Sequence, residues 1–435
     1  MTTAKRIAHR DVAMVRGSGF PIIVRMFLMN RRQFLVTSSA FLAGTSLSQE
    51  TGDLIKSVTT ETLWRNRDGK GTTWFHPRPC LVPGENGKPF VLMAIQEIGG
   101  SDYFGPVQWV RSDDLGKTWT DFTPIDALGR RPMPGHDGLE KGVCDVVPEY
   151  HPQSNTTLAM GHVVFYRGPH FSRKDQLPRY PIYAVRKADG TWSEQKKLEW
   201  NDPRGSFIYT NNCGQRVVLP DGDILLAFTF GAEEKNREVA GARCAFDGNT
   251  LSVREVGPAI SHPVGRGLLE PSITQFDGRI FLTIRAEDNH GYVSVSDDGL
   301  NYAEKKAWAF DDGEALTMST TQQHWMTHSD GLYLVYTRKD ASNLNVTRWR
   351  APLWTARVDP EKLCLIRETE RIVLPLIGDG VNAPDDVALM GNFQVTNVTP
   401  DESWVTVGEW MPKREARGDT RLARIAWAKP NQLVH

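Results

Sequence analysis

The chain has 435 residues, 40% hydrophobic and 24% charged, the balance of a globular protein large enough for one big domain or several small ones. A formal net charge of −1 provides no global field for nucleic acid or an anionic membrane, so an anionic ligand has to be held by a local cluster of cations. Five cysteines, an odd number with no C-x-x-C pair, argue against a disulfide framework or a Cys-rich zinc site.

Residues 1–28 precede Met29 and read as an over-long start or an extended n-region. Asn30-Arg31-Arg32-Gln33-Phe34-Leu35 is followed by VTSSAFLAGTSLS. A twin arginine, a short apolar run and a small-x-small end at Ser46-Leu47-Ser48 form the pattern of a Tat-type signal over 29–52. The apolar run is too short and too rich in Ser and Thr for a transmembrane helix, so no integral membrane segment is expected in the mature protein. The expected route is the Tat export machinery, and the expected destination is periplasmic or secreted.

From residue 53 to residue 430 the chain repeats one form: a short approach, an apolar run, a turn, and a second apolar run. The six segments are RPCLVPGENGKPFVLMAIQE, VPEYHPQSNTTLAMGHVVFY, QRVVLPDGDILLAFTF, EPSITQFDGRIFLTIRAED, QQHWMTHSDGLYLVYTRKD and NFQVTNVTPDESWVTVGEW. Their second runs open at Phe90, Thr157, Asp223, Arg279, Leu332 and Ser403, spaced 53 to 71 residues apart. Asn86-Gly87, Asp221-Gly222, Asp277-Gly278 and Asp330-Gly331 are hairpin turns, because their residues tolerate positive φ. Helical periodicity is scarce, and 13 Trp, 38 Gly and 26 Pro suit an all-β, turn-rich chain. The expected fold is a six-bladed β-propeller, in which ring closure removes the sheet edges that would otherwise pair with other chains.

One octet carries more. Ser112-Asp113-Asp114-Leu115-Gly116-Lys117-Thr118-Trp119 fits S-x-D-x-G-x-T-W. Asp114 can accept from the backbone N–H groups ahead of it, Gly116 permits positive φ, and Trp119 offers a large apolar face. Ser296-Asp297-Asp298-Gly299-Leu300-Asn301-Tyr302 is a near copy, one residue short, and Asp189-Gly190-Thr191-Trp192 and Asp247-Gly248 are weaker echoes. The octet resembles the Asp box, or BNR repeat, of the sialidase (neuraminidase) superfamily.

That resemblance extends to candidate site residues. Arg78-Pro79 is similar to the family's first-blade arginine, though one residue shorter than the usual pattern. Asp102, ten residues before Ser112, lies where the family's acid/base Asp lies. Glu270-Pro271 through Arg285 looks like the segment carrying the general-base Glu and the second arginine. Arg350 in RWRAPLWTARVDP resembles the third arginine, and Arg348, on the same face if the strand is extended, is its rival. The resemblance implies Asp102 and Glu270 as catalytic groups and Arg78, Arg285 and Arg350 as ligands of a substrate carboxylate. It also implies a late tyrosine nucleophile, yet no Tyr follows Tyr336.

Aligning the hairpins adds secondary candidates at one end of the axis. These are Glu97, His162, Gln323, Arg338 and Glu409, with Tyr166 or Tyr209 as a displaced tyrosine and His324 as a neutral acid/base group. His324 and His328 are four apart without H-E-x-x-H, so no metal is expected, and no cofactor is required. Three functions follow. The first is an exported exo-α-sialidase-like glycoside hydrolase cleaving terminal acidic sugars, with a glycan as its partner. The second is a polysaccharide lyase or other uronic-acid enzyme, which needs His162, His324 and Tyr166 on the axis. The third is a non-catalytic carbohydrate-binding propeller.

Overall fold

The computed structural model describes residues 53–84, 87–411 and 413–434. The twin-arginine segment and Asn86 lie outside the described residues.

Six antiparallel sheets follow one another along the chain. Their inner strands are Trp74–Val82, Leu139–His151, Ile208–Thr210 with Val217–Val218, Leu269–Phe276, His324–His328 and Phe393–Thr399. The second strands begin at Phe90, Thr156, Ile224, Arg279, Gly331 and Glu402, within a residue of the six openings expected from the repeats. This is a six-bladed β-propeller. The ring closes through the first strand: Ile55–Trp64 pairs antiparallel with Thr420–Trp427 and becomes the outer strand of blade 6. No helix among the described residues is long and apolar enough to cross a membrane.

The core lies between the blades. Strand residues alternate faces, so each sheet offers one apolar row to each neighbour. Tyr183 of blade 2 packs with Leu226, Phe228 and Ala240 of blade 3. Phe281 and Val293 of blade 4 meet Trp325 and Leu334 of blade 5. Val91 of blade 1 meets Trp404 and Leu422 of blade 6. Trp308, Trp325 and Trp404 are wholly buried, so Trp325 serves packing between blades. All five cysteines are free and buried.

The octet folds as a turn closed by its own side chains. Ser112 Oγ accepts from Gly116 N at 2.6 Å and donates to Asp114 Oδ1 at 2.8 Å. Asp114 also accepts from Lys117 N, Thr118 N and Thr118 Oγ1 at 2.7–3.0 Å. These bonds, led by those from Thr118, hold its carboxyl down at about 2. Gly116 has φ +81°, and a Cβ there would lie 2.7 Å from Trp404. The near copy closes the same way: Asp298 accepts from Leu300 N and Asn301 N at 2.8 and 2.7 Å. These turns therefore clamp the connection between the third and fourth strands within blades 1 and 4, and none of their residues lines the axial pocket.

Candidate active site

At one end of the axis the inner strands of four successive blades are interrupted in the same way. The pairing skips His76-Pro77 in blade 1, Asp145-Val146 in blade 2 and Glu270-Pro271 in blade 4. In blade 3 the break falls between Thr210 and Val217. Each interruption holds one left-handed residue: His76 (φ 54°), Asp145 (φ 56°), Asn212 (φ 50°) and Glu270 (φ 45°). A left-handed non-glycine costs on the order of 1 kcal/mol and persists only where its surroundings hold it. All four line a single pocket at the mouth of the axis. The bulge re-aims each side chain from the sheet face toward the axis.

Asp145 is the centre of one wall. Arg78 Nη2 donates to Asp145 Oδ1 at 3.1 Å, His76 Nε2 stands 3.4 Å from the same oxygen, and His162 Nδ1 lies 3.8 Å from Oδ2. Burial alone would raise the Asp145 pKa; His76, Arg78 and His162 outweigh it and hold the carboxyl below its ordinary value. Burial pushes both imidazoles down to about 4, against the pull of Asp145. Cys144 Sγ lies 3.4 Å from His162 Nε2, and burial holds its thiol well above the ordinary value. Both imidazoles are therefore neutral at pH 7, and the thiol keeps its proton.

Arginines supply the rest. Arg173, Arg179, Arg237, Arg266, Arg285, Arg348 and Arg350 line the pocket against four carboxylates: Asp102, Asp145, Glu234 and Glu270. Arg285 Nη1 donates to Glu270 Oε1 at 2.5 Å, and its Nε to Thr320 Oγ1 at 3.0 Å. Arg350 Nη2 donates to the carbonyl of Thr320 at 3.1 Å. Thr320 thus ties the two guanidinium groups to the bend that leads into His324–His328. Burial, then Arg285 and Arg348, pushes the Arg350 pKa down to about 9. Gly391 makes room for that side chain; a Cβ would lie 2.6 Å from Arg350 Cδ. Glu270 lines the pocket, and its Oε2 has no hydrogen-bond partner among the described residues.

The structure brings Asp102, Glu270, Arg285, Arg348, Arg350 and His162 to this pocket. Asp102 sits in the tight turn between Phe90–Gly100 and Tyr103–Phe104, with φ 55°. Arg348 is not on an extended strand: it lies in the 3-10 turn Thr347–Trp349 with φ 54°, which lets both Arg348 and Arg350 reach the mouth.

Other candidates fall elsewhere. Arg78 is fully buried behind the wall, bonded to Gln394 Oε1 at 2.8 Å and to Asp145, so it braces a pocket carboxylate and does not reach a ligand. The bulge at His76-Pro77 turns His76 to the pocket in its place. Glu97 is exposed outside the pocket. Tyr166 is buried, its hydroxyl accepting from Phe104 N at 3.3 Å. Tyr209 donates to Leu198 O. Gln323 accepts from Thr283, His324 meets Ser272 Oγ at 3.2 Å, Arg338 pairs with Glu370 at 2.7 Å, and Glu409 is locked between Arg67 and Arg421. Aligning the hairpins places Glu97, His162, Gln323, Arg338 and Glu409 near strand ends, but the bulges and loop lead-ins decide which ends face the axis. His76, Asp145 and the arginines at 173, 179, 237 and 266, which also line the pocket, escaped that alignment. Among them only His76 left a sequence trace, the dipeptide His76-Pro77, which matches Glu270-Pro271 at the bulge of blade 4.

Asp145, Cys144 and His162 offer ligand atoms within 4.8 Å of one another. Arg78 already occupies one Asp145 oxygen, and the surrounding cations oppose a metal ion there.

No protein-family model and no curated protein matches the chain. Solved structures do. A Dyadobacter fermentans protein of unknown function superposes with TM-score 0.57 at 14% identity, covering 86% of this chain and all of its own. Trypanosoma rangeli sialidase gives TM-score 0.57 at 14% identity over 85% of this chain and 59% of its own. The NanB sialidase of Streptococcus pneumoniae gives 0.53 at 11% identity over 84% and 70%. The fold is therefore that of the sialidase-type six-bladed propellers, and at these identities the likeness speaks for the fold alone.

Proposed function

We propose that the chain is an exported glycoside hydrolase that removes terminal acidic sugars, in the manner of an exo-α-sialidase. The observation carrying this reading is the pocket wall where Arg285, Arg348 and Arg350 converge beside Glu270 and Asp102. Neither Arg348, which is exposed, nor Arg350, which is half-buried, forms an ion pair among the described residues, and the buried Nε of Arg350 has no hydrogen-bond partner. A half-buried guanidinium without a carboxylate carries a desolvation cost, and a substrate carboxylate held by two or three converging guanidinium groups offsets it. The twin-arginine segment supports export.

In this reading Arg285, Arg348 and Arg350 hold the sugar carboxylate. Asp102 donates a proton to the glycosidic oxygen. Glu270, whose Oε2 is open, takes a proton from the attacking water. Asp145, kept ionised, opposes the positive charge that develops on the ring. No tyrosine lines the pocket among the described residues, so the reading takes direct displacement by water, with inversion at the anomeric carbon. The test is hydrolysis of aryl glycosides of acidic sugars with the first-formed anomer read by proton NMR. Asp102→Asn and Glu270→Gln should each lower kcat by roughly 10²–10⁴-fold. Full activity in both variants contradicts the assignment.

One observation favours a second reading. Two neutral imidazoles, His76 and His162, face the same pocket as the arginines. A uronic-acid lyase needs a neutralised carboxylate and a neutral base, and His162 is placed to be that base. The ultraviolet absorbance of an unsaturated uronide product distinguishes elimination from hydrolysis.

A further inference from the structure

The arginines of the pocket fall into two groups. Arg285, Arg348 and Arg350 come from blades 4 and 5. Arg179 and Arg237 come from the lead-ins to Pro181–Arg186 in blade 2 and Glu238–Phe246 in blade 3, with Arg266 just before blade 4. The positive charges acting on Arg350 are Arg285 and Arg348; those acting on Arg237 are Arg179 and Arg266. Asp145, His162 and Glu270 belong to the wall that carries both groups.

The second group is built into the ring. Arg179 N donates to Phe207 O at 2.8 Å, and Arg179 O accepts from Tyr209 N at 3.0 Å. Arg237 N donates to Arg266 O at 2.8 Å, and its own carbonyl accepts from Leu268 N at 2.9 Å. Each backbone is thus tied to the next blade by a two-bond parallel bridge. Their side chains are 13% and 5% exposed, so these are not surface arginines free to swing. Arg266 is neutralised by Glu287 through two bonds at 2.6 and 2.9 Å. Arg179 and Arg237 share a single carboxylate, Glu234, at 3.7 and 2.8 Å, and that side chain is 38% exposed and also meets Arg173. The buried Nε atoms of Arg179 and Arg237 have no hydrogen-bond partner among the described residues.

Two enclosed guanidinium groups against one half-exposed carboxylate leave uncompensated positive charge facing a cavity. The structure holds them there without a bond for either Nε. An oxyanion entering the cavity would offset that charge and take up the free donors. Planar oxyanions suit it, because the guanidinium fork matches their geometry.

We propose that Arg179 and Arg237 form a second oxyanion subsite, so that the glycan bound by this pocket carries two anionic groups, a carboxylate on Arg285, Arg348 and Arg350 and a second carboxylate or a sulfate ester on Arg179 and Arg237. This rests on the reading of the pocket as an acidic-glycan site and narrows it to dianionic glycans.

The test is calorimetric binding to the full chain at fixed salt with three probes: methyl glucuronide with one carboxylate, digalacturonate with two, and a sulfated glucuronyl disaccharide with one of each. At least one dianion should bind about tenfold or more tighter than the monoanion. Arg179→Gln and Arg237→Gln should each erase that difference and leave the monoanion affinity within about twofold, whereas Arg350→Gln weakens all three. Which dianion gains tells sulfate from carboxylate. Arg237→Lys serves if Arg237→Gln does not fold; it keeps the charge and loses the fork, and should lose part of the preference. Dianions binding no tighter than the monoanion, silence from all three probes included, overturns the subsite. So does equal weakening of every probe by Arg179→Gln and Arg237→Gln. A dianion preference without turnover would keep the subsite and remove the hydrolase reading.

Discussion

His76, His162 and His324 are each enclosed by the propeller, and burial pushes their pKa values from 6.5 down to about 4, 4 and 3. His76 and His324 face Asp145 and Arg78, and His162 faces Asp145, Arg179, Glu270 and Arg237. Between pH 6.5 and about 4 the unfolded chain binds protons that the folded chain refuses, so stability is full above pH 6.5 and falls as pH falls through that window. His76 and His162 each account for up to about 3 kcal/mol. Asp145 works in the same direction, since its lowered pKa gives stability that is lost only below the ordinary carboxylate range. Urea unfolding at a series of pH values should show this slope, and His162→Gln should flatten part of it. A stability curve level from pH 7 to pH 4 contradicts the neutral, enclosed imidazoles.

At the scale of elements, the hairpins were legible and the bulges were not. Asp221-Gly222, Asp277-Gly278 and Asp330-Gly331 announce turns because few other dipeptides tolerate their backbone, and all three lie at hairpin turns between paired strands. Asp145-Val146 breaks its strand without Gly or Pro, so no local pattern marks it. The same gap hid Arg179 and Arg237, which reach the pocket from lead-ins pinned by the next blade, a long-range arrangement with no trace in spacing. Of the residues the family resemblance named, Asp102, Glu270, Arg285, Arg348 and Arg350 line the pocket, whereas Arg78 stays behind its wall and the bulge beside it turns His76 inward. The octet turns give an element-level prediction. Ser112 is 1% exposed and bonds both Gly116 N and Asp114. Ser112→Ala should lower stability by about 1–2 kcal/mol without changing activity. A loss of activity at unchanged stability would mean that the octet acts in the chemistry and is more than a clamp.

For the whole molecule, closure is what makes one pocket out of residues spread from 76 to 392. Blade 6 takes its outer strand from Ile55–Trp64, so the first and last described strands zip the ring. Removing residues 53–64 exposes the edge of Thr420–Trp427 and uncovers Val58 and Leu63 contacts between blades 5, 6 and 1. The truncated chain should unfold at lower temperature or aggregate, and it should lose binding even though no pocket residue is deleted. Normal binding by that truncation would mean the blades hold the mouth without closure.

The most direct measurement is turnover of matched aryl glycosides that differ only in a carboxylate at the reacting sugar, by wild type and Arg350→Gln. The account predicts that wild type hydrolyses the acidic member and leaves the neutral one untouched, and that Arg350→Gln loses the acidic activity by about 10²-fold or more while its melting temperature holds. Equal turnover of neutral and acidic members, or an Arg350→Gln variant as active as wild type, contradicts it.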